Sequence, residues 1–207
     1  MRTRIKICGI TREADARAAA SAGADAIGFI FWRPSERFIE PERAGAIARA
    51  LPAFVSPVGV FVNPGIEEVE AVLAHVPHAL LQFHGEESPE FCSRFARPYL
   101  RAARMRPGLD LLEYFAPFAA ASAWLVDAFH DSAYGGTGTA FDWDLVPRRL
   151  ERPLVLSGGL TVDNVSEAVR RVRPFAVDVS SGVESGKGIK EATKIAAFIA
   201  GVRCADQ

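Results

Sequence analysis

A (β/α)8 barrel, an α/β fold in one domain spanning 1–207, is the architecture this sequence predicts. Three observations carry it. Short apolar runs alternate with longer amphipathic ones eight times, no linker or charge block divides the 207 residues, and glycine-rich turns follow the last two apolar runs.

The first unit is a strand at Arg4–Cys8, then a helix capped by Thr11 and ending near Gly23. Ala26–Phe31 is the second strand, and Pro41–Leu51 follows as a helix with proline in its first turn, where a missing N–H costs nothing. Pro57–Val62 leads through Asn63, Pro64 and Gly65 into a helix over Ile66–Val76. Ala79–Phe83 precedes a helix opened by Ser88, Pro89 and Glu90; Tyr99–Arg104 is the fifth strand, with a helix from about Leu109 to Phe118. Ala123–Asp127 is the sixth strand, followed by a long loop and a short helix over Phe141–Leu150. Pro153–Ser157 is the seventh, with a helix over Thr161–Val172; Phe175–Ser180 is the eighth, closed by a helix over Ile189–Val202. Strands this short and apolar are buried on both faces, as in a parallel sheet covered by helices. An open doubly wound sheet and a closed TIM barrel both satisfy that pattern, and eight consecutive units favour the barrel.

Composition narrows the function. The 24 basic and 25 acidic side chains leave a net charge of -1, so no global field exists to hold nucleic acid or an anionic membrane. Cys8, Cys92 and Cys204 form no CxxC pair, and with four histidines no zinc-finger spacing arises, so no metal is expected. Free thiols suit a reducing compartment. The charged N-terminus reads as no signal peptide and no run is long enough to span a bilayer, so a cytoplasmic location is expected.

In such a barrel, chemistry sits where strands end and the following loops begin. Ser157–Leu160 after strand seven and Ser180–Gly188 after strand eight carry glycines that let backbone N–H groups approach a phosphate. These two turns are therefore the candidate phosphate site, although such glycines also serve plain tight turns. Cys8 ends strand one, where a thiolate at the mouth can act as base or nucleophile; a small core residue is the ordinary alternative. Asp127 ends strand six after four apolar residues, as a functional carboxylate or a helix cap. Arg37, in the loop after strand two, offers a fork for a carboxylate or phosphate. His84 follows strand four, either lining the pocket or bonding a loop. The loop His130–Trp143, with Gly135, Gly136 and Gly138, has the flexibility of a lid.

KICGIT (Lys6–Thr11), GADAIGFIF (Gly23–Phe31), QFHGEE (Gln82–Glu87), the YGGTGTAFDW loop, LSGGLTVDNV (Leu156–Val165) and RPFAVDVSSGVES (Arg173–Ser185) together resemble the phosphoribosylanthranilate isomerases. The resemblance runs from Lys6 to about Phe198, and KICGIT combined with VDVSSGVE is its most specific part. It implies an acid/base Amadori rearrangement in tryptophan biosynthesis that needs neither metal nor organic cofactor, acting on a small sugar-phosphate substrate as a monomer or homodimer. It further implies Asp127 as general acid, Cys8 as general base, Arg37 at the anionic or aromatic end, His84 in the pocket, backbone groups around Gly158, Gly159, Ser181 and Gly182 as the phosphate cradle, and Asp178 near the ribose hydroxyls. Acid–base work calls for a pKa raised at Asp127 by partial burial and lowered at Cys8 by nearby positive charge. Two rivals remain at this point. A histidine-pathway-type aminoaldose isomerase uses a carboxylate where this chain has Cys8, and a non-catalytic barrel would keep the phosphate turns without turnover.

Overall fold

The computed structural model describes residues 2–106, 108–128, 141–147 and 149–207. Among them, eight parallel strands close into a barrel in simple sequence order. They are β1 (Arg4–Ile7), β2 (Ala26–Ile30), β3 (Ser56–Phe61), β4 (Leu80–Phe83), β5 (Tyr99–Met105), β6 (Ala123–Ala128), β7 (Leu154–Leu156) and β8 (Ala176–Val179). The closing seam sets Lys6 beside Asp178 and Ile7 beside Val179, so the first and last strands meet at the future site. The sequence favoured the barrel over an open sheet only by count; the β1–β8 pairing excludes the open sheet by hydrogen bonds.

Side-chain alternation splits the core in two. Val58, Leu100, Ala102, Ala123, Leu125, Val155 and Ala176 fill the barrel interior. The opposite parity, with Ile5, Ile27, Phe29, Leu81, Phe83, Ala103 and Val126, packs against the surrounding helices. That second layer is completed by α1 (Glu13–Ala22), α2 (Pro41–Arg49), α3 (Ile66–His75), α4 (Pro89–Ser93), α5 (Leu111–Phe115), α6 (Val165–Val172) and α7 (Ala192–Ala205). No helix of the described residues is long and apolar enough to cross a membrane.

Several boundaries differ from expectation, each for a local reason. Thr11 does not cap α1; its hydroxyl donates to the Gly188 carbonyl at 3.0 Å, and Arg12 stands at the cap with an extended backbone. The helix expected from Leu109 starts at Leu111, because the Asp110 side chain accepts from the Leu112 and Glu113 amides; its last turn tightens to a 3-10 turn at Ala116–Phe118, which contains Pro117. Phe141–Leu150 yields only a 3-10 turn at Trp143–Leu145: Val146 is extended, as the residue before Pro147 prefers. Asn164 accepts from the Thr161 amide and donates to the Gly159 carbonyl, delaying α6 to Val165. Ile189–Lys190 is not helical. It forms β10, which pairs antiparallel with β9 (Glu184–Gly186) in a hairpin before α7.

Candidate active site

The mouth of the barrel is lined by the inward parity continued one step past the interior core. On the β1–β8 side, Lys6 donates to Asp178 Oδ2 at 2.8 Å, both side chains about 5% exposed or less. Two buried opposite charges cost desolvation and are sustained by their mutual attraction. Burial works against the Lys6 ammonium, yet Asp178 and Cys8 outweigh it and carry its pKa up to about 12. Asp178 Oδ1 has no hydrogen-bond partner among the described residues.

Cys8 lies immediately beyond, buried, where Lys6 and Lys190 both act on it. The expectation of a lowered pKa is overturned here. Burial pushes the thiol above its ordinary value, and the pull of Lys6 is offset by Asp178. Positive charge is present, as anticipated, but it arrives already paired with carboxylates and in a dry setting.

Over this floor lies a second ionic cluster. Arg37 donates through Nε and Nη2 to the two oxygens of Glu184, both at 2.8 Å, and Lys190 Nζ reaches Glu184 Oε1 at 2.7 Å. Lys190 also donates to the Ser180 carbonyl at 3.0 Å. Burial tends to raise the Glu184 pKa, but Arg37 and Lys190 prevail and hold it below the ordinary carboxylate range. Burial lowers that of Lys190 despite Glu184. Arg37 thus stands at the mouth as expected, with its fork already engaged by this chain's own carboxylate.

On the far side of the mouth, Asp127 is 3% exposed at the end of β6. Its Oδ1 accepts from the Ala128 amide at 2.9 Å, while Oδ2 lies 3.1 Å from His84 Nε2. The other ring nitrogen of His84 is 3.0 Å from Gln82 Nε2. With the amide donating, Nδ1 is the acceptor and Nε2 carries the proton, close to Asp127 but making no hydrogen bond to it.

Between Asp127 and Cys8, in barrel order, come the two glycine turns. Gly158 has φ +87, left-handed backbone closed to ordinary side chains, and a Cβ there would lie 2.4 Å from the Ala128 amide nitrogen. At Gly182 a Cβ would fall 2.0 Å from the Leu160 carbonyl oxygen, so its absence lets the two loops touch. Ser181 and Gly182 begin a 3-10 turn, Ser181–Val183. Gly159 also has positive φ, at +65. Backbone amides of such turns form concave anion sites.

The candidate residues therefore converge in two facing groups, Cys8 with Lys6 and Asp178, and Asp127 with His84, with Arg37 above the first and the glycine turns between. The expected lid falls mainly on residues 130–140, outside the described residues. Sequence reasoning missed Gln82, Glu184 and Lys190 and gave Lys6 no role. Parity could have found two of them, since Lys6 shares the inward face with Cys8 and Gln82 with His84. Glu184 and Lys190 are placed by the hairpin, for which no periodicity was visible.

Comparison with known proteins agrees with this geometry. The family model described as N-(5'phosphoribosyl)anthranilate (PRA) isomerase matches residues 5–201. A relative from Dechloromonas aromatica, named N-(5'-phosphoribosyl)anthranilate isomerase, is 58% identical over 100% of this chain and 99% of its own. The crystal structure of phosphoribosyl anthranilate isomerase from Thermotoga maritima superposes with a TM-score of 0.90 at 41% identity, covering 98% of this chain and 99% of that one. Another structure of such an isomerase, in complex with reduced 1-(o-carboxyphenylamino)-1-deoxyribulose 5-phosphate, gives a TM-score of 0.83 at 38% identity, covering 98% of this chain and 99% of that one.

Proposed function

This chain belongs to the N-(5'-phosphoribosyl)anthranilate isomerase family, and on that premise we propose that Cys8 and Asp127 are its acid–base pair. The reaction converts N-(5'-phosphoribosyl)anthranilate to 1-(2-carboxyphenylamino)-1-deoxyribulose 5-phosphate in tryptophan biosynthesis. It is an internal redox shift: C1 is reduced as C2 is oxidised, so atoms and electrons balance within the substrate and no cofactor is required.

Asp127 gives its proton to the furanose ring oxygen as the C1–O bond breaks and the nitrogen lone pair forms a C1=N bond. Cys8 then takes the C2 proton, and the C2–H electrons form an enolamine that becomes the ketone. The observation that carries this assignment is positional. Cys8 and Asp127 continue the inward face of β1 and β6, and the Gly158–Gly159 and Ser181–Gly182 turns lie between them in barrel order. A phosphate bound at those turns sets the sugar between acid and base. The buried thiol rests protonated; it gives that proton to solvent as the substrate binds, and the cationic iminium formed by ring opening then stabilises the thiolate that takes the C2 proton.

Arg37, fixed by Glu184, contacts the anthranilate portion; His84 lies against Asp127 at the pocket wall, and Asp178 Oδ1 is the acceptor for a ribose hydroxyl. A cytoplasmic location is proposed from the three free cysteines. As assembly we propose a monomer or a homodimer. A Thermotoga maritima neighbour is described as dimeric, and fully exposed Phe54 offers an apolar side chain for a second copy. Balanced charge gives no support for a nucleic-acid partner.

The test is loss of anthranilate-type fluorescence when phosphoribosylanthranilate, generated in situ, meets the purified chain without added metal. Rapid loss in the wild type, reduced about 10²–10⁴-fold in Asp127→Asn with ribose 5-phosphate binding retained, is the expected result. Equal loss of binding and turnover would reassign Asp127 to structure.

A further inference from the structure

We propose that Arg101 and Glu87 are positioning residues for His84, a buried ion pair that fixes the backbone on both sides of that residue so that its ring can reach Asp127; this rests on the acid–base reading above. Arg101 lies on β5 between Leu100 and Ala102, which fill the barrel interior, so its side chain takes the opposite, helix-facing parity. It therefore bears on the mouth through the loop after β4. The side chains of the pair are each 2% exposed, and Arg101 Nη1 donates to Glu87 Oε2 at 2.7 Å.

Most of the pair's other bonds go to backbone around His84. Arg101 Nη1 donates to the Phe83 carbonyl at 3.4 Å and Nη2 to the Gly85 carbonyl at 2.9 Å, while Glu87 Oε2 accepts from the Gly85 amide at 2.9 Å. One ion pair thus holds the residues immediately before and after His84. Glu87 Oε1 also accepts from the Asn63 amide at 2.8 Å, and Asn63 Oδ1 from the Glu86 amide at 2.6 Å, which ties this loop to the one after β3. Gly85 permits the contact, since a Cβ there would lie 2.4 Å from Asn63 Oδ1. Arg101 Nη2 is itself steadied by the Tyr114 hydroxyl at 2.7 Å, which in turn donates to the Ala102 carbonyl at 3.1 Å on β5.

A buried ion pair often stabilises a fold no better than apolar side chains of the same volume. What this pair supplies is geometry. His84 Nε2 stands 3.1 Å from Asp127 Oδ2, and with the flanking backbone fixed it reaches that oxygen by a turn of the ring alone. A drift of the loop by about 1 Å takes the two atoms out of hydrogen-bond range.

The experiment is a double-mutant cycle on kcat with phosphoribosylanthranilate, using Glu87→Gln and His84→Asn singly and together. Glu87→Gln keeps the side chain's shape but sets an uncharged amide against Arg101. Alone it is expected to lower kcat about tenfold with KM nearly unchanged, within the ~10²-fold that a misplacement of about 1 Å can cost. In the His84→Asn background the same change is expected to cost less than about twofold, because the group it positions is gone. Where Glu87→Gln does not fold, Arg101→Lys, which keeps the charge but loses the fork, runs the same cycle with the same expectation. Equal losses with and without His84, or an unchanged kcat in both variants, would assign the pair to stability alone and overturn the inference, leaving the isomerase reading standing. A fully active His84→Asn overturns the inference and removes His84 from the acid–base reading. A wild-type chain inert toward phosphoribosylanthranilate overturns both.

Discussion

His84 Nε2 lies 3.1 Å from Asp127 Oδ2, with both side chains buried, one just past the end of β4 and the other near the end of β6. The imidazole nitrogen thus stands beside the one carboxylate oxygen that the Ala128 amide does not reach, near enough to bond it on a small turn of the ring but without a hydrogen bond at rest. If Asp127 is the proposed general acid, the carboxylate it becomes on giving up its proton is stabilised by that ring turning to bond it. His84→Asn is expected to lower kcat by roughly tenfold to hundredfold with a smaller change in KM, the scale of a hydrogen bond to a charged group. Steady-state kinetics check this; an effect confined to KM would make His84 a binding residue only.

Cys8 is held in its thiol form by burial that outweighs Lys6 and Lys190. Its carbamidomethylation rate by iodoacetamide, followed by mass spectrometry, is expected to keep rising with pH beyond the ordinary thiol value of about 8.5. A plateau below pH 8 would show a resting thiolate instead. Cys8→Ser is expected to lose nearly all turnover, since a hydroxyl is far harder to deprotonate.

Glu184, like Asp25, contributes to the acid limb of stability. Its folded pKa is depressed, so its contribution is fully present above the unfolded carboxylate value, about 4.3, and is lost as pH falls through the folded one. Glu184→Gln is expected to flatten the decline of urea-unfolding stability with falling pH below about 4.3. It should also loosen Arg37, raising KM at neutral pH. An unchanged acid limb would assign the decline to other carboxylates.

Gly182→Ala forces a Cβ to within 2.0 Å of the Leu160 carbonyl oxygen, a backbone atom that cannot swing aside. The two turns must part, at a cost of about 1–3 kcal/mol in stability. Inorganic phosphate should inhibit this variant more weakly than the wild type. Undiminished inhibition with lowered stability would place the phosphate elsewhere.

Much of this was legible in the residues. Eight apolar runs gave eight strands, and the two glycine turns and the strand-end rule led to Cys8, Asp127 and the loop positions that line the mouth. Errors gathered where side chains decided the backbone. Asp110 and Asn164 shortened helices by bonding nearby amides and carbonyls, and Thr11 turned to Gly188 rather than to its own helix. The Cys8 error has the same origin at longer range. Lysines were present, but Asp178 and Glu184 had already claimed their charge.

By itself, the sequence determined the strand–helix alternation, the inward and outward parity of each strand and the motifs that mark the family. These depend on local periodicity and on residues adjacent in the chain. Only the tertiary structure decided which charges meet: Lys6 with Asp178 across 172 positions, Arg37 with Glu184 across 147, and His84 beside Asp127. Barrel closure brings those groups into one dry volume, where the local dielectric and each group's partner set its protonation. Neither is a property of residues taken in order along the chain.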